Sequence, residues 1–261
     1  MPELLGAGCG RCMRRLFSVH CSVRTQSIVG EHAVLRKYLA LVLVFAVFIA
    51  VAALLVRFCF DRFPHYGGPK MALATGYLLA AVLMGALNSR LGRWLLLGLA
   101  CAWWGDFLLM GPKDTFFLAG LLAFLAGHLC YCVAYATHGA RARVVLPSLA
   151  VLAIPGMVLV WNLWPGIPAG LRVPVMLYLT AITLMVALSF GCIGRPAGWI
   201  LVLGALLFYL SDMGVSSRAF GGADMAPFKS LAPLYFPGQY LLAVAIPVAR
   251  RAAGKTPQFA K

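Results

Sequence analysis

Residues Thr115–Thr137 read TFFLAGLLAFLAGHLCYCVAYAT, and this stretch decides the fold class. It carries no Lys, Arg, Asp or Glu. As a helix rising about 1.5 Å per residue, it is long enough to cross the roughly 30 Å hydrocarbon core of a bilayer. A transmembrane β-strand would alternate apolar and polar residues over about ten positions. This run is continuously apolar instead.

Similar runs recur along almost the whole chain. Read between charged or Pro/Gly breaks, they give eight predicted spans: Tyr38–Phe60, Pro69–Leu87, Arg93–Met110, Thr115–Thr137, Val144–Asn162, Arg172–Gly191, Ala197–Ser217 and Leu231–Ala249. Of the 261 residues 62% are hydrophobic and only 11% charged, where a soluble domain averages about 25% charged. The expected architecture is an all-α polytopic membrane bundle, with residues 37–250 as an eight-helix transmembrane domain and 251–261 as a short basic tail. Connections such as PHYGG, MGPKD and HGARAR are short, so consecutive helices are expected to be antiparallel neighbours. Only Arg218–Ser230 reads as a longer loop.

The net charge of +15 would point to nucleic acid in a soluble protein. In a membrane protein Lys and Arg instead accumulate on the cytoplasmic side. When the loops are assigned to alternate sides, fifteen of the 22 Lys and Arg fall on the side of the N-terminus and seven on the other. Both termini are therefore expected in the cytoplasm, and no nucleic-acid partner is expected. Residues 1–36 read as a basic, disordered extension. No apolar core of signal-peptide type precedes Tyr38, so the first span is expected to be retained. Cys9, Cys12, His20 and Cys21 have a spacing that matches no closed zinc site.

The chain has seven acidic residues. Five fall in the tail or in loops, where water solvates them. Asp106, in CAWWGDFLLM, and Asp212, in LLFYLSDMGV, lie inside predicted spans. An acid there costs about 2.5–3.5 kcal/mol on insertion scales, so it usually faces the bundle interior and has a role. With spans alternating in direction, both acids fall at similar depth toward the non-cytoplasmic side.

Other polar residues fall at compatible levels. His128 and Tyr131 are three apart on one helical face. Lys70 opens the second span, where an ammonium can meet a phosphate head group. Ser211 precedes Asp212, Tyr178 lies about two turns into the sixth span, and Gln239 and Tyr240 lie about two turns into the last. Each of these also has an ordinary structural reading, the tyrosines above all. Gly105, Gly127, Gly204 and Gly238 suit close helix approach.

Two neighbouring carboxyl groups in an apolar site can divide into one proton donor and one carboxylate. That is an acid/base pair suited to a lipid-like substrate. A single intramembrane His does not supply a three-His zinc site. No G-x-S-x-G nucleophile motif and no nucleotide-binding loop occurs.

The segments WWGDFLLM, FLAGLLAFLAGHLCY, LGALLFYLSDMGVSSRAF and YFPGQYLLA, in this order between about Lys70 and Ala249, resemble the YhhN family, which includes lysoplasmalogenases. The resemblance implies hydrolysis of the vinyl-ether bond of lysoplasmalogens to a fatty aldehyde and glycerophosphoethanolamine or glycerophosphocholine. Asp106 and Asp212, the two acids inside predicted spans, are expected to be the catalytic pair for it. Lys70, His128, Tyr131, Tyr178, Ser211, Gln239 and Tyr240 would bind substrate or orient the acids and the water. No metal or organic cofactor is needed for this reaction. The partners would be a lysophospholipid, water and membrane lipid, in a bacterial inner membrane or the endoplasmic reticulum. The alternative from another class is a transporter that uses the same acids as a proton or cation relay.

Overall fold

A computed structural model describes residues 67–111 and 113–253. The predicted first span, Tyr38–Phe60, and the N-terminal extension with Cys9, Cys12, His20 and Cys21 lie outside the described residues, as does the tail after Ala253. The described chain forms α1 (Gly67–Leu83), α2 (Arg90–Leu108), α3 (Lys113–Thr137), α4 (Ala142–Leu163), α5 (Arg172–Gly191), α6 (Gly198–Phe220), the single turn α7 (Ala226–Lys229) and α8 (Tyr235–Ala253). The seven longer helices coincide with the seven predicted spans that fall in this region.

Among the described residues, five helical segments are long and apolar enough to cross a membrane: Phe116–Thr137, Ala142–Gly166, Ala169–Gly191, Gly198–Phe220 and Ala226–Ala252. Gly68–Leu83 is apolar but shorter. The protein is thus an integral membrane protein, and its described residues are all-helical. The exposed side of α4 fits this, with Leu146, Val151, Ile154 and Trp161 presenting apolar surface outward.

Each of six helices packs on the next around a closed ring, in the order α1, α2, α3, α5, α6, α8 and back to α1. α4 lies outside the ring against α5, with a smaller contact to α6. Leu95, Leu99, Tyr131, Phe208, Leu242 and Ile246 are fully buried. Where α6 meets α8, small residues set the distance. A Cβ on Gly204 would sit 3.1 Å from the Gly238 carbonyl oxygen, and one on Gly238 would sit 3.0 Å from that of Gly204. Two helices can approach this closely only when both contact positions lack a side chain.

Two expectations about connectivity are corrected. The first concerns α3 and α4, which are consecutive and joined by a short link but are not packed neighbours. Their link is tied to the α5–α6 link instead. The Arg141 N–H donates to the Gly191 carbonyl at 3.0 Å, and the Arg141 guanidinium donates to that of Ile193. Arg195 Nε donates to the Gly139 carbonyl at 3.2 Å. These bonds seat α3 on α5 and leave α4 on the outside.

The second concerns Arg218–Ser230, which is not simply a loop. α6 continues to Phe220, a 3₁₀ turn covers Ala223–Met225, and α7 follows. Polar side chains fold this segment back on α6: Ser211 Oγ donates to the Ala232 carbonyl at 2.9 Å, and Arg218 Nε donates to that of Lys229 at 2.8 Å. The α1–α2 break also comes earlier than predicted. α1 stops at Leu83, and Ser89 caps α2 by accepting the Gly92 N–H at 3.0 Å.

Candidate active site

The C-terminal turn of α2 places Asp106 inside the ring, with its side chain 3% exposed. α1 begins beside it, and Lys70 in its first turn aims an ammonium at the carboxylate, Nζ to Oδ1 at 3.0 Å. The same Nζ donates to the Asp106 backbone carbonyl at 3.3 Å. Lys70 and Tyr77 are seven residues apart, two turns on one face of α1, so Tyr77 reaches the other oxygen. Its hydroxyl donates to Oδ2 at 3.4 Å. Tyr235, at the start of α8, donates to that oxygen at 2.7 Å, and the two phenol oxygens are 3.1 Å apart. Asp106 therefore accepts an ammonium and two phenols, a strong donor set for a buried carboxylate.

Asp212 faces the ring interior from α6, and its side chain is 15% exposed. The Tyr178 hydroxyl on α5 donates to Oδ2 at 2.6 Å. His128 Nε2 on α3 lies 3.8 Å from that oxygen, too far for a hydrogen bond. The imidazole is fully buried and stands edge-on to the Tyr178 ring, with centroids 4.8 Å apart. It also lies against Phe208 at 4.9 Å. Neither ring nitrogen has a hydrogen-bond partner among the described residues.

Asp106 and Asp212 line one cavity of about 300 Å³, at the small end of typical ligand sites. Its apolar walls include Leu121, Phe124, Val175, Val215 and Phe236, and Lys70, Tyr178, Arg218 and Tyr235 also line it. The helices that carry the two acids, α2 and α6, are not close neighbours in the ring. The acids share the cavity because they look across it, each held by residues of its own side. Such a site can present a proton donor and a carboxylate to opposite ends of one small reacting group, while its walls accept an alkyl chain. Among the described residues, no three His, Cys, Asp or Glu are grouped to hold a metal ion.

A model of the YhhN family matches residues 68–246, more than half of the chain, and this stretch contains every residue of the cavity. The chain belongs to the YhhN family. No curated protein matches it, and no solved structure does.

The other site residues expected from the sequence divide into two groups. Tyr178 and His128 lie beside Asp212, and Lys70 beside Asp106, as described above. The remaining four have partners elsewhere. Tyr131 donates to Gln239 Oε1 at 2.8 Å, a buried link between α3 and α8. Tyr240 donates to the Leu73 carbonyl at 3.0 Å and ties α8 to α1. Ser211 donates to the carbonyl of Ala232, a residue of the cavity lining. Tyr77 and Tyr235 complete the Asp106 site and were not among the expected site residues, although Tyr235 opens the YFPGQYLLA segment. The seven-residue spacing from Lys70 marks Tyr77, whereas Tyr235 joins the site through the tertiary contact of α8 with α1.

Proposed function

We propose that this YhhN protein hydrolyses the vinyl-ether bond of single-chain lysoplasmalogens, releasing a fatty aldehyde and a glycerophospho head group. The observation that carries the reading is the pair of carboxyl groups, Asp106 and Asp212, facing one apolar-walled cavity inside a membrane bundle. Hydrolysis of this bond begins with protonation of the alkene carbon next to the chain. The resulting oxocarbenium ion is attacked by water, whose proton goes to a base. The hemiacetal so formed collapses to aldehyde and alcohol.

The partners of the two acids suggest which does what. Asp106 is matched to the Lys70 ammonium and two phenols, and serves as the carboxylate that offsets developing positive charge. Asp212, with one phenol and a neighbouring imidazole, serves as the proton donor. Once it has given its proton to the alkene, its carboxylate takes one from the attacking water, and His128 orients that water. Lys70 also lies where it can meet the substrate phosphate. Tyr178 and Tyr235 hold the acids in place, while Tyr131, Ser211, Gln239 and Tyr240 support them through the helices.

The reading includes eight spans with Tyr38–Phe60 as the first, both termini in the cytoplasm, and a bacterial inner membrane or the endoplasmic reticulum as the location. The test is aldehyde release from a lysoplasmalogen by purified protein in detergent, with products identified by mass spectrometry. Turnover with no gradient imposed leaves a transporter role unnecessary. Release of fatty acid from acyl lysophospholipids, with no aldehyde from the alkenyl lipid, would overturn the proposal.

A further inference from the structure

We propose that the alkyl chain of the substrate leaves the cavity sideways between α3 and α5, so that only its first carbons lie inside the protein and the rest stays in the bilayer. The inference rests on the function proposed above and deepens it: the site takes long single-chain ether lipids without selecting among chain lengths. Size gives the first argument. The cavity of about 300 Å³ has room for roughly ten groups the size of a water molecule. The reacting ether bond and its glycerol use much of that space, and a hexadecyl chain alone exceeds it.

The seams of the ring give the second argument. Five of the six are closed at the level of the cavity. Lys70 joins α1 to α2 through its 3.0 Å contact with Asp106. A Cβ on Gly105 would come within 2.5 Å of the Phe124 ring, so α2 lies tight on α3. Tyr178 bonds Asp212 at 2.6 Å between α5 and α6. α4 backs that seam, where a Cβ on Gly156 would meet Leu179 at 2.8 Å and the Tyr209 hydroxyl at 2.9 Å. Ser211 ties α6 to the turn before α8 at 2.9 Å, and the phenols of Tyr77 and Tyr235 close α8 on α1 at 3.1 Å.

The α3–α5 seam differs along its length. Away from the cavity it is held by Cys132 Sγ, which donates to the Ala181 carbonyl at 3.9 Å, and by the bonds of Arg141 and Arg195. His128 and Tyr178 then meet edge-on. Beyond them, Leu121 on α3 and Val175 on α5 both line the cavity and are only half-buried. Leu118 and Leu122 on α3, and Val173 and Leu177 on α5, are exposed. A chain passing between Leu121 and Val175 therefore meets apolar side chains from the cavity to the lipid, where its methylenes remain out of water.

The test uses the purified full chain in lipid nanodiscs and reads binding independently of turnover. The probe is 1-O-hexadecylglycerophosphoethanolamine, which has no vinyl ether to cleave, with a diazirine either near the ether or near the chain terminus. Only photolabel competed by excess unlabelled ether is counted. The label near the ether is expected on Leu121, Phe124 or Val175, and the terminal label on the exposed faces of α3 and α5. Dodecyl, hexadecyl and icosyl ethers should bind within about threefold of one another, because their extra methylenes lie in lipid both free and bound. Val175→Trp and Leu121→Trp, which crowd the seam from either side, should weaken the hexadecyl ether by about tenfold or more and leave the butyl ether within about twofold.

Competed terminal label on α1, α6 or α8, or on His128 and Phe208 inside the ring, overturns the proposal. So does rejection of the icosyl ether, which would mean a closed pocket of fixed length. Equal losses for the butyl and hexadecyl ethers, or no loss in either tryptophan variant, would also overturn it. Label near the ether on the cavity walls, together with aldehyde release from a lysoplasmalogen, upholds the proposed reaction whatever the terminal label shows, so the two readings fail separately.

Discussion

GLACAWWGDFLLM and GALLFYLSDMGVS can be aligned by eye with their aspartates in register, and each forms part of a ring helix. Their surroundings nevertheless differ. Asp106 lies two residues before the end of α2, and its partners Lys70, Tyr77 and Tyr235 come from α1 and α8. Asp212 is followed by eight more residues of α6, and its neighbours Tyr178 and His128 come from α5 and α3. The preceding residue differs too. A Cβ at Gly105 would come within 2.5 Å of the Phe124 ring, whereas Ser211 bonds the chain that folds back over α6. Two similar segments thus yield a charge-matched carboxylate on one wall and a lightly held carboxyl on the other. The proposed division of labour is read from what surrounds each acid.

The sharpest way to break this comparison is to remove each acid in turn. Asp106→Asn and Asp212→Asn are both expected to lower turnover by about 10²- to 10⁴-fold. Their stabilities should part. Asp106→Asn strands the Lys70 ammonium and is expected to cost about 2–3 kcal/mol, below the roughly 3–5 kcal/mol of a fully buried pair, because Lys70 is 24% exposed. Asp212→Asn strands no cation and should cost about 1 kcal/mol or less. Unfolding in detergent, followed beside aldehyde release, reads both effects. Equal stability losses would end the distinction between the two sites.

A double-mutant cycle sharpens the Asp106 side. Lys70→Met in the Asp106→Asn background should restore stability, with a coupling of about 1–3 kcal/mol. Additive losses would mean that the pair is not coupled.

The tyrosines come next. Tyr235→Phe removes a 2.7 Å bond to Asp106 and is expected to cost about 1.5–2 kcal/mol. Tyr77→Phe removes one of 3.4 Å and should cost about half as much. Tyr178→Phe, on the other wall, should slow turnover more than it destabilises. The reverse order for Tyr235 and Tyr77 would show that the bond lengths do not rank these contacts.

The smallest stability effect is expected at His128, which has no hydrogen bond to lose among the described residues. His128→Leu should change the unfolding free energy by less than about 1 kcal/mol and still reduce turnover by at least about tenfold, within the range of lost acid/base assistance. Full activity in this variant would limit His128 to packing.

Much of this arrangement is legible before any coordinates. The continuous apolar runs locate the seven longer helices of the described residues, because only a helix satisfies every backbone polar group within a single lipid-facing segment. Asp106 and Asp212 stand out because a carboxyl group within such a run is costly. Other features were beyond reach. Short links suggested neighbours in chain order, but the bonds of Arg141 and Arg195 to opposing carbonyls place α3 on α5. Gln239 and Tyr240, near the acids by level, have their bonds to Tyr131 and to Leu73. Level along the membrane normal follows from counting residues, whereas direction around a helix axis depends on which helix lies opposite.

By itself the sequence determined a membrane-embedded all-helical chain with two costly acids, because hydrophobicity and charge act locally and read out position by position. Which residues answer those acids was decided by the closed order of the ring. It set Lys70, Tyr77 and Tyr235 against Asp106, with Tyr178 and His128 beside Asp212. These contacts join residues from separate helices, and their geometry exists only once the helices have packed.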